Sequence, residues 1–265
     1  MVNVIAVDMD GTFLNSNNDY NREYFDDLFE IMSQKGIEFV VASGNQYAQL
    51  RSFFPKQWRK MTFVSENGAL IFKNDHLIKK KVINRKLVKE ILDLLEDSPM
   101  EVSVILCGIK GAYLLKEENE DFKAFAGQYY YELAELDSFD NLPEDDFVKF
   151  ALQVKDEEAF EIIAAINEKS DAKISAVYSG HGSVDLVGNT SNKGSALEFL
   201  LKDWKVTSEN LLAFGDSNND LEMLHLAGLS YAMENGTDAV LRTAEYIAPS
   251  NDEEGVLSII EKLII

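Results

Sequence analysis

The chain has 265 residues, with 46 acidic against 25 basic side chains and a formal net charge of −21, and it is long enough for a full hydrophobic core and more than one structural unit. That charge excludes general binding to the phosphate backbone of nucleic acid, which needs clustered Lys and Arg, and does not suit an anionic membrane surface. No apolar run approaches the ~20 residues that span a bilayer, no secretory signal is visible, and the single cysteine, Cys107, fits a reducing, cytoplasmic setting as a small core residue.

The first predicted element is a short β-branched strand, Val4–Val7, uninterrupted as a strand buried on both faces would be. It stops at Asp8-Met9-Asp10-Gly11-Thr12. Two carboxylates beside a buried strand end are costly unless something compensates them. A cation with oxygen ligands, such as Mg²⁺, would do so. Without one, the same residues make a polar turn. A helix follows over residues 21–36, with Phe25, Leu28, Phe29 and Met32 at helical spacing. A second buried strand, 37–42, ends in Ser43-Gly44-Asn45 at the start of a helix over 46–54. Backbone N–H groups there can cap the helix or face an anion. A short strand at 62–64 leads into Ser65-Glu66-Asn67-Gly68-Ala69, a hairpin signal.

From residue 84 the texture changes to short strands with partial alternation, mixed with helices. Strands are expected at 102–107, 112–115, 147–154, 173–179 and 183–187, and helical segments at 86–95, 122–131 and 157–167. This reads as an inserted α+β domain over residues 84–189, with residues 117–121 and 132–146 as solvated surface and loop. Asn192-Lys193-Gly194 then opens a helix over 195–204, where the macrodipole mildly disfavours a lysine. The opening pattern returns at 211–214: an apolar strand, then Gly215-Asp216-Ser217-Asn218-Asn219-Asp220, then a helix over 221–227. Strand-like segments at 230–232 and 246–248 also end in polar loops. In a parallel sheet all these ends lie on one edge, where open α/β folds bind ligands.

Together DMDGTF (8–13), SGN (43–45), NKG (192–194) and GDSNND (215–220) resemble the four motifs of the haloacid dehalogenase superfamily, in order and separation. The large insertion between the second and third motifs resembles that of the Cof-type sugar phosphatases of subclass IIB. The resemblance implies an α/β fold, a Rossmann-like parallel-sheet core formed by residues 1–83 and 190–265, with the inserted α+β cap, 84–189, selecting the substrate. It implies a Mg²⁺-dependent phosphatase acting on small phosphorylated sugars. Asp8 would be the nucleophile that forms an aspartyl-phosphate, and Asp10 the acid and base. Mg²⁺ would be held by the Asp8 and Asp216 carboxylates and the Asp10 backbone carbonyl, with Asp220 supporting. Ser43, Gly44, Lys193 and Asn219 would hold the phosphoryl oxygens. Asn45 stands where many members carry Arg, so it is a candidate for specificity, as is His181 in a polar cap turn (179–183). His76 and His225 read as surface residues. A phosphosugar mutase or other phosphotransferase with the same nucleophile, and a non-catalytic phosphometabolite sensor, are the other readings.

Overall fold

The structure is a computed structural model and describes residues 2–180 and 182–265. Strand β1 (Val4–Val7) leads through helix α1 (Arg22–Gln34) to β2 (Glu38–Ala42), and through α2 (Tyr47–Ser52) to β3 (Thr62–Ser65). Two further strands, β4 (Leu70–Lys73) and β5 (His76–Lys80), follow by hairpins. Next come α3 (Arg85–Glu96), β6 (Ser103–Gly108), β7 (Ala112–Leu115), α4 (Glu120–Tyr129), β8 (Leu133–Leu136), β9 (Phe147–Gln153), α5 (Ala159–Ser170), β10 (Ile174–Gly180) and β11 (Ser183–Gly188). The chain then returns to the first unit with α6 (Lys193–Trp204), β12 (Leu211–Gly215), α7 (Leu221–Leu226), β13 (Leu229–Met233), α8 (Asp238–Thr243), β14 (Tyr246–Ala248) and α9 (Gly255–Ile264).

Two sheets result. The first has eight strands in the order β14-β13-β12-β1-β2-β3-β4-β5. From β14 to β3 every pairing is parallel, and only the β3-β4-β5 edge is antiparallel. Strand β1 sits centrally, pairing Val4–Val7 with Leu211–Phe214 on one side and Glu38–Val41 on the other. Its alternate side chains divide between two apolar layers. Ile5 and Val7 face a cluster with Phe25, Leu28 and Met32 of α1 and Val256, Leu257 and Ile260 of α9. Val4 and Ala6 face Leu197, Leu200 and Leu201 of α6 with Met223 and Leu224 of α7. Full burial of each such side chain is worth ~1.5–3 kcal/mol, which explains why the strand reads as a continuous apolar run.

The second sheet has six strands, ordered β10-β11-β9-β6-β7-β8, antiparallel except between β7 and β8. Helices α3 and α5 cover one face, through Val88, Ile91, Leu92, Ile162 and Ile166. Helix α4 covers part of the other, through Phe122 and Ala126, and that part includes the buried Cys107.

Two sequence expectations need correction. Segment 132–146, read as solvated loop, contains β8, whose side chains are half or fully exposed and therefore leave no apolar signature. Strand β5 was not anticipated either. It is a sheet edge whose Lys79 and Lys80 belong to the kind of charge that blunts edge pairing. Among the described residues, no helix is long and apolar enough to cross a membrane.

Candidate active site

The loops after β1, β2, β3 and β12 leave the same edge of the eight-stranded sheet, where the strand order changes direction around β1. Asp8 follows β1 directly, and its N–H donates to the Phe214 carbonyl of neighbouring β12 at 3.2 Å. Backbone pairing thus sets Asp8 beside the 215–220 loop, although the two lie about 200 residues apart in sequence. The Asp8 carboxyl is buried and accepts from Lys193 Nζ at its Oδ1, 2.6 Å away. Lys193 also donates to Asp220 Oδ1 at 2.7 Å. Asp220 Oδ2 accepts from the N–H groups of Asp216 and Ser217, both at 3.0 Å, which closes the loop on itself.

Lys193 is fully buried at the first turn of α6. The helix start is fixed by Asn192, whose side chain accepts from Ser195 N–H at 2.7 Å, while the Ser195 hydroxyl accepts from Asn192 N–H at 3.3 Å. A lysine at this end opposes the macrodipole, and the two carboxylates it meets overcome that penalty. The conflict noted in the sequence therefore has a local cause.

Asp216 is held by the Thr12 hydroxyl, which donates to Oδ1 at 2.6 Å. Gly11, at φ +76°, lies against the same carboxylate, and a Cβ there would come within 2.5 Å of Asp216 Oδ2. Carboxylate oxygens of Asp8, Asp216 and Asp220 all lie within 4.8 Å of one another. The Asp10 side chain stands outside this cluster, more exposed, and accepts from Asn45 Nδ2 at 2.7 Å. Asn45 N–H in turn donates to Ser43 Oγ at 3.1 Å.

The electrostatics follow from this crowding. Burial pushes the Asp8 carboxyl well above the usual range, against the pull of Lys193 and helped by Asp220, Asp216 and Asp10. Asp216 rises to about 6, through burial and then the charge of Asp220, with the Thr12 hydrogen bond opposing. Asp10, open to solvent on one side, is raised by the partial desolvation that the cleft imposes, against its Asn45 hydrogen bond. Lys193 shifts upward, because Asp220 and Asp8 outweigh its loss of hydration. Carboxylates thus outnumber the buried ammonium, and the donor set is oxygen only, which fits a hard divalent cation. Asp8 and Asp216 offer side-chain oxygens to such an ion, and Asp220 lies in reach but is already engaged by Lys193 and two N–H groups.

Several participants carried weaker sequence signals. The Glu66-Asn67-Gly68 turn is the expected hairpin, yet Glu66 and Asn67 are buried, both with positive φ. Asn67 Oδ1 accepts from Asn219 Nδ2 at 3.1 Å, and a Cβ on Gly68 would lie 2.2 Å from the Asn192 carbonyl. That close approach requires glycine and ties the turn to the start of α6. Thr12 and Lys149 were also not singled out, although a lysine inside the apolar run of β9 was a readable anomaly. His76 and His225 are exposed, as expected, while the expectation for His181 lies outside the described residues.

A buried carboxylate–ammonium pair beside further carboxylates at the C-terminal edge of a parallel sheet is the arrangement of one known class. The chain matches the family model described as haloacid dehalogenase-like hydrolase over residues 5–260 and belongs to that family. It is 42% identical, over 99% of its length and 96% of the relative's, to the 5-amino-6-(5-phospho-D-ribitylamino)uracil phosphatase YbjI of Escherichia coli (strain K12). Among solved structures it is similar to SMU.1108c from Streptococcus mutans UA159, at 40% identity and TM-score 0.95, covering 100% of this chain and 99% of that one. The subclass IIB sugar phosphatase BT4131 shares the fold at TM-score 0.85 and 20% identity, with 100% of both chains covered. The chain is accordingly a phosphoric monoester hydrolase of the Cof type.

Proposed function

We propose that the chain is a Mg²⁺-dependent phosphatase acting on small phosphorylated sugars or sugar alcohols through an aspartyl-phosphate. The observation that carries this reading is the buried Lys193, which bridges Asp8 Oδ1 and Asp220 Oδ1. It holds one Asp8 oxygen and leaves Oδ2 to attack phosphorus as the bond to the leaving oxygen breaks. Asp10, two residues on and held by Asn45, gives its proton to the departing alkoxide. In the second half it takes a proton from the water that cleaves the aspartyl-phosphate. Its pKa is raised, the direction that a proton donor needs. Ser43, Gly44, Lys193 and Asn219 surround the phosphoryl position as donors. Asp8, Asp216 and the Asp10 carbonyl would hold the Mg²⁺, which when bound supplies charge neutralisation and polarises a phosphoryl oxygen. Residues 84–189 act as a cap over the site, a role supported by Lys149 of β9, which donates to the Gly44 carbonyl at 2.7 Å. A cytoplasmic setting goes with this reading, since Cys107 is a free, buried thiol.

Phosphate release from a panel of sugar phosphates and 5-amino-6-(5-phospho-D-ribitylamino)uracil, with Mg²⁺ and after chelation, tests the proposal. No release from any of them, or release indifferent to chelation, would overturn it.

Two variations probe the roles. Asp10→Asn should lose about 10²–10⁴-fold on sugar phosphates and far less on an aryl phosphate, whose leaving oxygen needs less protonation. Equal losses on both would make Asp10 structural. The second concerns pH. Proton and cation compete for Asp216, which titrates at about 6 in the metal-free site. Asp8, a second ligand whose carboxyl is also raised, competes in the same way, so the Mg²⁺ concentration for half-maximal activity should rise as pH falls, by tenfold per unit or more below about 6. A half-saturating concentration that stays constant from pH 8 to 5 would show that Asp216 is not a ligand.

A further inference from the structure

A second buried lysine lies between the two sheets. Lys149, 2% exposed, projects from β9 and crosses to the eight-stranded unit. Its ammonium donates to the Gly44 carbonyl at 2.7 Å and pairs with Glu66 Oε2 at 2.8 Å and Asp185 Oδ2 at 3.4 Å. The Gly44 carbonyl is its hydrogen-bond acceptor, and the two carboxylates stand as counter-charges at ion-pair distance. Burial alone would lower its pKa, but Asp185 and Glu66 together raise it well above the usual lysine value, so the group is a fixed positive charge.

Gly44 C=O and Asn45 N–H are the two ends of one trans peptide group. At one end sits the Lys149 ammonium, and at the other the N–H donates to Ser43 Oγ. Charge on the carbonyl polarises the peptide and strengthens the donor end. The Ser43 oxygen is thereby held as an acceptor, with its own proton left for another group. Beyond that N–H, the Asn45 side chain donates to Asp10. The 66–68 turn clamps the same loop from its other side, with Glu66 N–H on Asn45 O at 3.3 Å and Asn67 N–H on Ser43 O at 3.1 Å. Asn67 Nδ2 also donates to Asp185 Oδ2 at 2.6 Å.

Lys149 and Asp185 belong to the six-stranded sheet, whereas Gly44, Glu66 and Asn67 belong to the other unit. The clasp therefore forms only when the two are packed together. We infer that Lys149 is a positioning residue: pinned by Glu66 and Asp185, it fixes the Gly44–Asn45 peptide and so aligns the Ser43 hydroxyl and the Asp10 carboxyl when the cap is down. This rests on the phosphatase reading above and assigns that site a control seated in the insert.

Lys149→Met alone strands Glu66 as an unpaired buried charge, so the informative variant is Lys149→Met/Glu66→Gln, which removes both charges at similar volume. Its melting temperature should stay within a few degrees of the wild type. Its kcat on a sugar phosphate should fall about ten- to a hundredfold, with a clearly smaller loss on an aryl phosphate and KM nearly unchanged. Inorganic phosphate, titrated calorimetrically with Mg²⁺, should bind several-fold more weakly, a readout that needs no turnover. Asp185→Asn, which keeps the Lys149–Glu66 pair, should show a smaller loss of the same selectivity and serves if the double variant does not fold. Unchanged kcat and phosphate affinity, or equal losses on both substrates, would overturn the inference. Wild-type turnover of the two substrates checks the phosphatase reading separately.

Discussion

Asp8→Asn should lower phosphate release by on the order of 10⁴-fold or more, as loss of a nucleophile does elsewhere, while leaving the fold in place. The amide oxygen can still accept from Lys193, which keeps its pairing with Asp220 at 2.7 Å. Removing one of several crowded carboxylates also removes the cost of burying its charge and the repulsion from its neighbours, which together raise Asp8. The melting temperature should therefore be equal to the wild type or slightly higher. Acid-quenched wild-type enzyme should carry covalently bound phosphate during turnover, and the variant none. Near-wild-type release by Asp8→Asn would remove Asp8 from the role, and a collapse in stability would show that the site is held together by its charge rather than strained by it.

Lys193→Met should have the largest effect on stability and should lower activity as well. The substitution preserves most of the volume but leaves Asp8 and Asp220, both buried, without their shared counter-charge. Breaking a buried pair by removing one partner costs about 3–5 kcal/mol, which for a chain of this size lowers the melting temperature by roughly 10 °C. The pH dependence has a definite sign. Burial already raises the Asp8 carboxyl against the pull of Lys193, and without the lysine that pull is gone, so at this group the folded state binds more protons than the unfolded one. Stability then falls as pH rises through the ordinary carboxylate range toward the raised Asp8 value, and acidification from pH 7 to 5.5 should narrow the gap to the wild type. A melting temperature unchanged at pH 7, read by calorimetry, would mean that the ion pair does not bear on the fold.

Much of the architecture was legible because its signals are local. Buried parallel strands carry apolar runs, and the polar residues at their ends stand out against them. β8 and β5 were not legible, since an exposed strand keeps no apolar face to betray it. The role of the Glu66-Asn67-Gly68 turn was hidden for a different reason. Its local chemistry is that of a hairpin whether or not its side chains are buried, and burial is conferred by α6 and the insert packing over it.

By itself the sequence determined which residues can do chemistry and the order in which the chain presents them: Asp8 and Asp10 at one strand end, Ser43 and Gly44 at another, Asp216 and Asp220 at a third. Tertiary structure alone decided which of them meet. Lys193 reaches Asp8 across 185 positions of sequence, and Lys149 reaches Gly44 across 105. Neither contact leaves a trace in the spacing of the chain, because parallel pairing of β1 with β12 sets the first and the packing of one sheet on the other sets the second. The consequence is electrostatic. Both lysines become fixed, desolvated charges once carboxylates from distant segments close around them.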